Sequence, residues 1–233
     1  KNILKKILDE EVAYVDLRFT DPRGKLQHVT LMSDQVDEDF FADGFMFDGS
    51  SIAGWKSIDQ SDMKLMPDVS TNYIDPFYAE KTLCIHCSVL EPDTNEPYDR
   101  DPRGTAQKAE TYLKSTGIGD VSYFGPEAEF FLFDDVRFSV EMNKVSFEVD
   151  ADDASWNSDT QYEIGNMGHR PAVKGGYFPV NPTDTSHDLR GEMLSTMKRM
   201  GMKVDKHHHE VASCQHELGL ICGSLTHQAD ELQ

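Results

Sequence analysis

Phe47-Asp48-Gly49-Ser50-Ser51-Ile52-Ala53-Gly54-Trp55-Lys56-Ser57-Ile58-Asp59-Gln60-Ser61-Asp62-Met63-Lys64-Leu65 is the most informative stretch of this chain. Its opening is turn chemistry, since Asp, Gly and Ser accept tight backbone conformations, and an Asp-Gly-Ser-Ser run alone is ordinarily a solvated turn. Upstream, residues 1–8 place apolar side chains at helical spacing. Residues 12–19 alternate, with Ala13, Val15, Leu17 and Phe19 on one face. Asp21-Pro22-Arg23-Gly24 is a turn and residues 25–31 return, so a hairpin is expected. Residues 37–41 form a short acidic and aromatic segment leading into the loop. Downstream, residues 82–90 read as a buried strand. The Pro-rich polar run Glu91-Pro92-Asp93-Thr94-Asn95-Glu96-Pro97-Tyr98 reads as a linker, which puts a domain boundary at 97/98.

Beyond the linker, Asp101-Pro102 opens a helix with an acidic cap and proline at its first position, Ala106, Ala109, Tyr112 and Leu113 form its expected inner face, and Gly117 stops it. Residues 121–133 are expected as one strand, 138–149 as a strand pair or irregular loop, and 150–169 as a loop. A second glycine loop covers 174–179. Thr185 or Ser186 caps a helix whose Leu189, Met193, Met197 and Met200 make a core stripe. Residues 204–211 are expected as the last clear strand, and a further helix begins near 229. Strands mixed with helices in no regular βαβ order argue for an α+β fold.

The 233 residues allow one large domain or two modest ones, and 38% hydrophobic content is that of a globular chain. A net charge of −20 argues against nucleic acid, whose phosphates are read by clustered Lys and Arg. The absence of a membrane-length apolar run or a signal peptide leads to the expectation of a soluble, cytoplasmic protein. Cys84 and Cys87 have zinc-like spacing. Residues three apart on a strand point to opposite faces, however, so buried thiols are the better reading.

In Gly125-Pro126-Glu127-Ala128-Glu129-Phe130-Phe131-Leu132-Phe133, Glu127 and Glu129 share one strand face, about 7 Å apart. Phe131 and Phe133 continue that face, which is therefore expected to be at least partly buried. Adjacent carboxylates there repel and lose hydration unless cations or protons compensate, and hard divalent ions such as Mg²⁺ or Mn²⁺ are the natural compensation. The bland alternative is a solvated acidic edge. In His207-His208-His209-Glu210-Val211, Glu210 shares a face with His208 while His207 and His209 point away. A zinc site using all three histidines is therefore not favoured.

Tyr98-Asp99-Arg100-Asp101-Pro102-Arg103, Phe124-Gly125-Pro126-Glu127-Ala128-Glu129-Phe130-Phe131, Gly168-His169-Arg170-Pro171-Ala172-Val173-Lys174-Gly175-Gly176-Tyr177-Phe178-Pro179 and the histidine block, together with the 47–65 stretch, resemble bacterial type I glutamine synthetase from about residue 12 to residue 233. The resemblance implies an N-terminal β-grasp-like domain over 1–97 and the first part of an antiparallel α+β catalytic domain over 98–233. It implies an ATP-dependent ligase joining ammonium to L-glutamate through γ-glutamyl phosphate. Two or more Mg²⁺ or Mn²⁺ ions per site and a homo-oligomer, a dodecamer with active sites between adjacent subunits, are implied as well. Glu129, Glu210 and Glu217 fall where the family binds one metal, and Glu127 where it binds a second. Asp205 stands where many relatives carry a nucleotide-contacting Glu. Asp48 matches the acid that binds ammonium and removes its proton, with Asp62 in support.

This chain departs from the family in the Glu210–Glu217 interval, where many members have one residue more. The resemblance also implies members about twice this length, whose second half supplies further metal and phosphate ligands. A truncated, non-catalytic relative that assembles with or regulates complete subunits is the alternative.

Overall fold

In the computed structural model, which describes residues 2–154, 156 and 169–233, helix α1 (Asn2–Asp9) buries Ile3 and Ile7, one turn apart. The expected hairpin follows: β1 (Tyr14–Thr20) and β2 (Leu26–Met32) pair antiparallel from Tyr14–Met32 to Thr20–Leu26. Asp21 holds its turn, with Oδ1 accepting from the amides of Arg23 and Lys25. Helix α2 (Glu38–Asp43) starts at Asp37, whose carboxylate caps the Phe40 amide. Strands β3 (Phe45–Asp48), β4 (Asp62–Pro67), β5 (Tyr73–Asp75) and β6 (Thr82–Leu90) complete a six-stranded sheet in the order β2-β1-β6-β4-β3, with β5 also on β6. β1 and β6 are parallel and the other pairs antiparallel. Central β6 is covered on both faces, so Leu83, Cys84, Ile85, Cys87 and Val89 are all fully buried and the strand lacks alternation. Cys84 and Cys87 are free buried thiols, as expected, whereas Cys222 is exposed.

Helix α3 (Pro102–Thr116) has the Asp101 cap and ends at Gly117, whose φ of 68° suits glycine. Its inner face is only partly the expected one: Ala106 and Leu113 are half-buried. Tyr112 is 72% exposed and Ala109 is exposed, while Arg103 and Gly104 are buried. The apolar positions lost to a polar contact: Arg103 donates to Ser88, Asp68 and Asp230. The single strand expected over 121–133 is two, β7 (Tyr123–Phe124) and β8 (Glu127–Phe131), separated by Gly125-Pro126, where proline has no amide to give a ladder. Strands β9 (Asp135–Glu141) and β10 (Lys144–Asp150) form a regular hairpin. Helix α4 (His187–Met200) ends at Gly201 and is followed by β11 (Val204–His209). The chain then forms an unexpected strand β12 (Gln215–Leu220), a short β13 (Gly223–Ser224) and helix α5 (Leu225–Leu232). The loop expected over 150–169 falls largely on 155 and 157–168, outside the described residues.

The chain divides into two compact units, residues 1–124 with 222–233, and residues 125–221. In the first, β13 pairs with β7, and α5 is tied to α3 by Thr226 Oγ1 donating to Glu110 at 2.8 Å. Its core gathers Val15, Leu17, Phe19, Trp55, Met63, Leu65 and Val89. The second unit holds a three-stranded sheet, β11-β12-β8, the β9–β10 hairpin and α4. The methionine stripe of α4 is only partly core: Leu189 is 45% exposed, Met193 and Met197 are half-buried, and the buried residue of the helix is Arg190.

Asp16 is fully buried inside the first sheet. Arg18 Nε donates to it at 2.8 Å, His28 Nδ1 lies at 2.7 Å, and Thr30 donates its hydroxyl. Burial alone would push this carboxyl up, but the hydrogen bonds from Thr30, Arg18 and His28 outweigh it and hold it below the usual range. A lowered folded pKa stabilises the fold above the unfolded value, about 3.9, and that contribution is lost as pH falls through the folded value. Asp16→Asn is expected to cost about 3 kcal/mol at pH 7, measured by urea unfolding. The gap should close as pH falls below about 4; a gap independent of pH would refute this assignment.

Candidate functional site

Register decides which side chains of the second unit meet. β12 pairs with β11 at His208–Glu217 and with β8 at Glu217–Glu129, so His208, Glu217 and Glu129 stand in one cross-strand row. The next row sets Lys206, Gly219 and Glu127 side by side. Side chains alternate across a strand, so Glu127, Glu129, His208, Glu210 and Glu217 all project from one face, here termed the front. His207, His209, His216, Leu218, Ala128 and Phe130 occupy the back. The divergence of alternate histidines expected from the sequence is therefore present.

The front face gathers negative charge. His208, Glu210 and Glu217 offer donor atoms within 4.8 Å of one another, with His208 Nδ1 3.5 Å from Glu210 and Nε2 3.5 Å from Glu217. Glu129 accepts from Gln215 Nε2 at 2.6 Å. Among the described residues, no Lys or Arg forms an ion pair with Glu127, Glu129, Glu210 or Glu217. Burial pushes the Glu217 carboxyl up and is opposed by His208 and, more weakly, by Lys206, while Glu127 and Glu210 push it further in the same direction. A set of carboxylates only partly offset by His208 and Lys206 fits a hard divalent cation. Glu127 and Glu129 are exposed and Phe131 is 48% exposed, so this end of the face is more open than the sequence suggested. β8 is an edge strand of its sheet, paired only with β12.

Asp205 lies at a bulge in β11, between Val204 and Lys206. A Cβ placed on Gly219 would come within 2.4 Å of Asp205 Oδ1, so the missing side chain makes room for that carboxylate beside the Glu127 row. The 174–179 loop runs along the open edge of β11, with the Gly176 amide donating to Val211 O at 2.9 Å. A Cβ on Gly176 would approach Glu210 O and His209 Cε1 to 2.6 Å each, which is why glycine stands there. Tyr177 and Phe178 then flank His208, with ring centroids at 5.7 and 4.7 Å.

In the first unit, β3 and β4 set Asp48 directly opposite Asp62. Gly49 N–H donates to Ser61 O at 2.7 Å, making Asp48–Asp62 a non-hydrogen-bonded pair, the kind in which side chains approach most closely. Like charges so placed repel unless a cation joins them. Asp48 Oδ1 accepts from both the hydroxyl (2.6 Å) and the amide (2.8 Å) of Ser50, which hold the carboxyl below the usual range and leave Oδ2 available. Met63 passes where a Gly49 side chain would sit, and Trp55 packs against Phe19, Phe47 and Tyr98, so the core pins this exposed loop.

The seven sequence-derived candidates thus fall into two sets. Glu127, Glu129, Asp205, Glu210 and Glu217 belong to the second unit, and Asp48 and Asp62 to the first. The sequence reading gave no role to His208 or Gln215. The alternation of His216, Leu218 and Leu220 against Gln215, Glu217 and Gly219 carried the signal for β12, which explains both.

The β-bearing first unit and the carboxylate-bearing second define a class: a β-grasp domain followed by part of an α+β catalytic domain. Residues 11–92 match the family described as glutamine synthetase, beta-Grasp domain, and residues 99–233 that described as glutamine synthetase, catalytic domain. The chain belongs to the glutamine synthetase family. It is 75% identical over 229 residues to the glutamine synthetase of Cereibacter sphaeroides, covering 98% of this chain and 49% of that protein. The Escherichia coli K12 glutamine synthetase is 55% identical over 234 residues, covering 100% of this chain and 50% of its own length. The Plasmodium falciparum glutamine synthetase structure superposes with a TM-score of 0.87 at 26% identity, over 99% of this chain and 46% of that one. The chain spans about half the length of the curated relatives it matches.

Proposed function

We propose that this chain forms the N-terminal part of an enzyme joining ammonia to L-glutamate at the expense of ATP, through γ-glutamyl phosphate. The observation carrying this reading is the front face of β8, β11 and β12, where four carboxylates share one face and, among the described residues, none forms an ion pair with Lys or Arg. A carboxylate is a poor acyl donor because its leaving group is oxide; phosphorylation by ATP supplies a good one. In this reading Glu129, Glu210 and Glu217 would hold one Mg²⁺ or Mn²⁺, Glu127 would contribute to a second, and Asp205 would contact the nucleotide. When bound, such cations neutralise phosphate charge and align donor and acceptor oxygens. Ammonia attacks only when neutral, so Asp48 binds ammonium through charge and takes its proton, with Asp62 adding to the field.

We also read the chain as a protomer of a dodecamer in which Asp48 serves a neighbouring subunit, with domains over 1–97 and 98–233 and a cytoplasmic location. The β9–β10 hairpin supports association. Its register pairs Phe138 with Phe147 and Val140 with Val145, and these four side chains, on one face, are 71–79% exposed. So large an exposed apolar face marks an interaction surface. Among the described residues no helix is long and apolar enough to cross a membrane. The test is phosphate release from Mg-ATP by the assembled protein, with glutamate and ammonium withheld in turn. Release requiring both is expected; release independent of either would overturn the reading.

A further inference from the structure

Behind the carboxylate face lies a buried polar network that none of the proposed chemistry uses. Arg190 of α4 is 1% exposed, and its guanidinium reaches three separate segments of the second unit. Nη2 donates to Asp184, just before the helix; Nη1 meets His216 Nδ1 on β12 at 2.8 Å; Nε donates to His207 Nδ1 on β11 at 3.3 Å. His216 in turn packs its ring on His209 at 5.2 Å between centroids. His209 is fixed at both nitrogens, with Nε2 2.9 Å from Asp153 Oδ2 and Nδ1 2.7 Å from Glu210 O. The Cys214 amide donates to the same Asp153 oxygen at 2.7 Å.

Each back-face histidine adjoins a front-face group in sequence: His207 adjoins His208, His209 adjoins Glu210, and His216 adjoins Glu217. Because strand side chains alternate, gripping the back-face rings fixes the phase of the front. The grip is needed at this point in the sheet. β11 carries a bulge between Val204 and Lys206, so its unbroken ladder with β12 is only four residues long, Lys206 to His209, and a one-residue slip would turn every side chain to the other face. A guanidinium that bonds His207 on one strand and His216 on the next is satisfied only in the register that sets His208 opposite Glu217. We propose that Arg190 is a positioning residue, which locks β11 to β12 and so presets the spacing of Glu210 and Glu217 for a divalent cation. The inference rests on the reading of the front face as a cation site.

The test is Mn²⁺ binding to the full chain, followed by the electron paramagnetic resonance signal of free Mn²⁺, well below the unfolding midpoint of each variant. Outer-shell partners of metal ligands are typically worth 10- to 100-fold in affinity; Arg190 acts one step further out, through the neighbours of the ligands, so Arg190→Met is expected to raise the Mn²⁺ dissociation constant about tenfold, the low end of that range. Arg190→Lys keeps the charge but lacks the fork that serves three partners at once, and should give an intermediate loss in a protein that stays folded. Glu217→Gln is the control. Wild-type affinity in folded Arg190→Lys and Arg190→Met, with affinity lost in Glu217→Gln, overturns the positioning role alone. Wild-type affinity in Glu217→Gln as well overturns the cation site and this inference with it.

Discussion

Glu217→Gln is expected to weaken Mn²⁺ binding by at least about 100-fold, beyond the range of outer-shell substitutions, while leaving the metal-free protein as stable or more so. The two effects share one cause. Glu217 is 6% exposed, lies directly opposite Glu129, and has Glu127 and Glu210 for neighbours. Ionised, it is penalised by burial and repulsion, which a bound cation reverses and a neutral amide removes. Relief of a directly opposed like-charge pair is worth about 0.5–1 kcal/mol. The sign against pH follows from the raised pKa. Below about pH 4, where Glu217 is protonated in both states, wild type and variant should match. As pH rises through the raised folded value the wild type loses stability and the variant does not. Isothermal titration with Mn²⁺ and urea unfolding in chelator at pH 3.5 and 7.5 would check both. A variant destabilised at neutral pH and unaltered in Mn²⁺ affinity would show Glu217 to be structural.

On the proposed ligase reading, Asp48→Asn should lower glutamine formation at low ammonium about 10²- to 10⁴-fold, the usual worth of a positioned general base, with assembly intact. The loop should survive because Asn retains the oxygen that accepts from the Ser50 amide and hydroxyl, and because Met63 and Trp55 pin the segment from beneath. The loss should be specific: higher pH, which supplies neutral ammonia, should recover part of the rate in the variant. Steady-state rates against ammonium at pH 7 and 9, with size-exclusion chromatography for assembly, separate the roles. Unaltered rates at low ammonium would remove Asp48 from the chemistry.

Much of this was legible from local pattern. Alternation put Glu127 with Glu129 and Glu210 with His208, and turn chemistry located the loop that carries Asp48. Where pattern failed, a polar contact had displaced an apolar one. α3 turns Arg103 inward rather than Tyr112, and α4 buries Arg190 rather than Leu189, both against the usual exclusion of arginine from interiors. Each buried guanidinium has partners 15 or more residues away, at Ser88 and Asp230 for Arg103 and, besides the nearby Asp184, at His207 and His216 for Arg190. No window of neighbouring residues contains that information. β12 escaped for a related reason: its alternation is carried partly by Glu217 and Gly219, poor strand formers taken singly, which pairing on both sides holds in a strand.

The sequence by itself determined which residues of a segment share a face, where the chain turns, and the family to which its motifs belong. These follow from the two-residue period of a strand, the 3.6-residue period of a helix, and the backbone freedom of Gly, Asp and Ser. Only the tertiary structure decided which strands are neighbours. The order β11-β12-β8 sets Glu129 beside Glu217, and Gln215 beside Glu129, 86 positions away. Side-chain period is a property of one strand, whereas pairing is settled by backbone hydrogen bonds and burial across the whole fold.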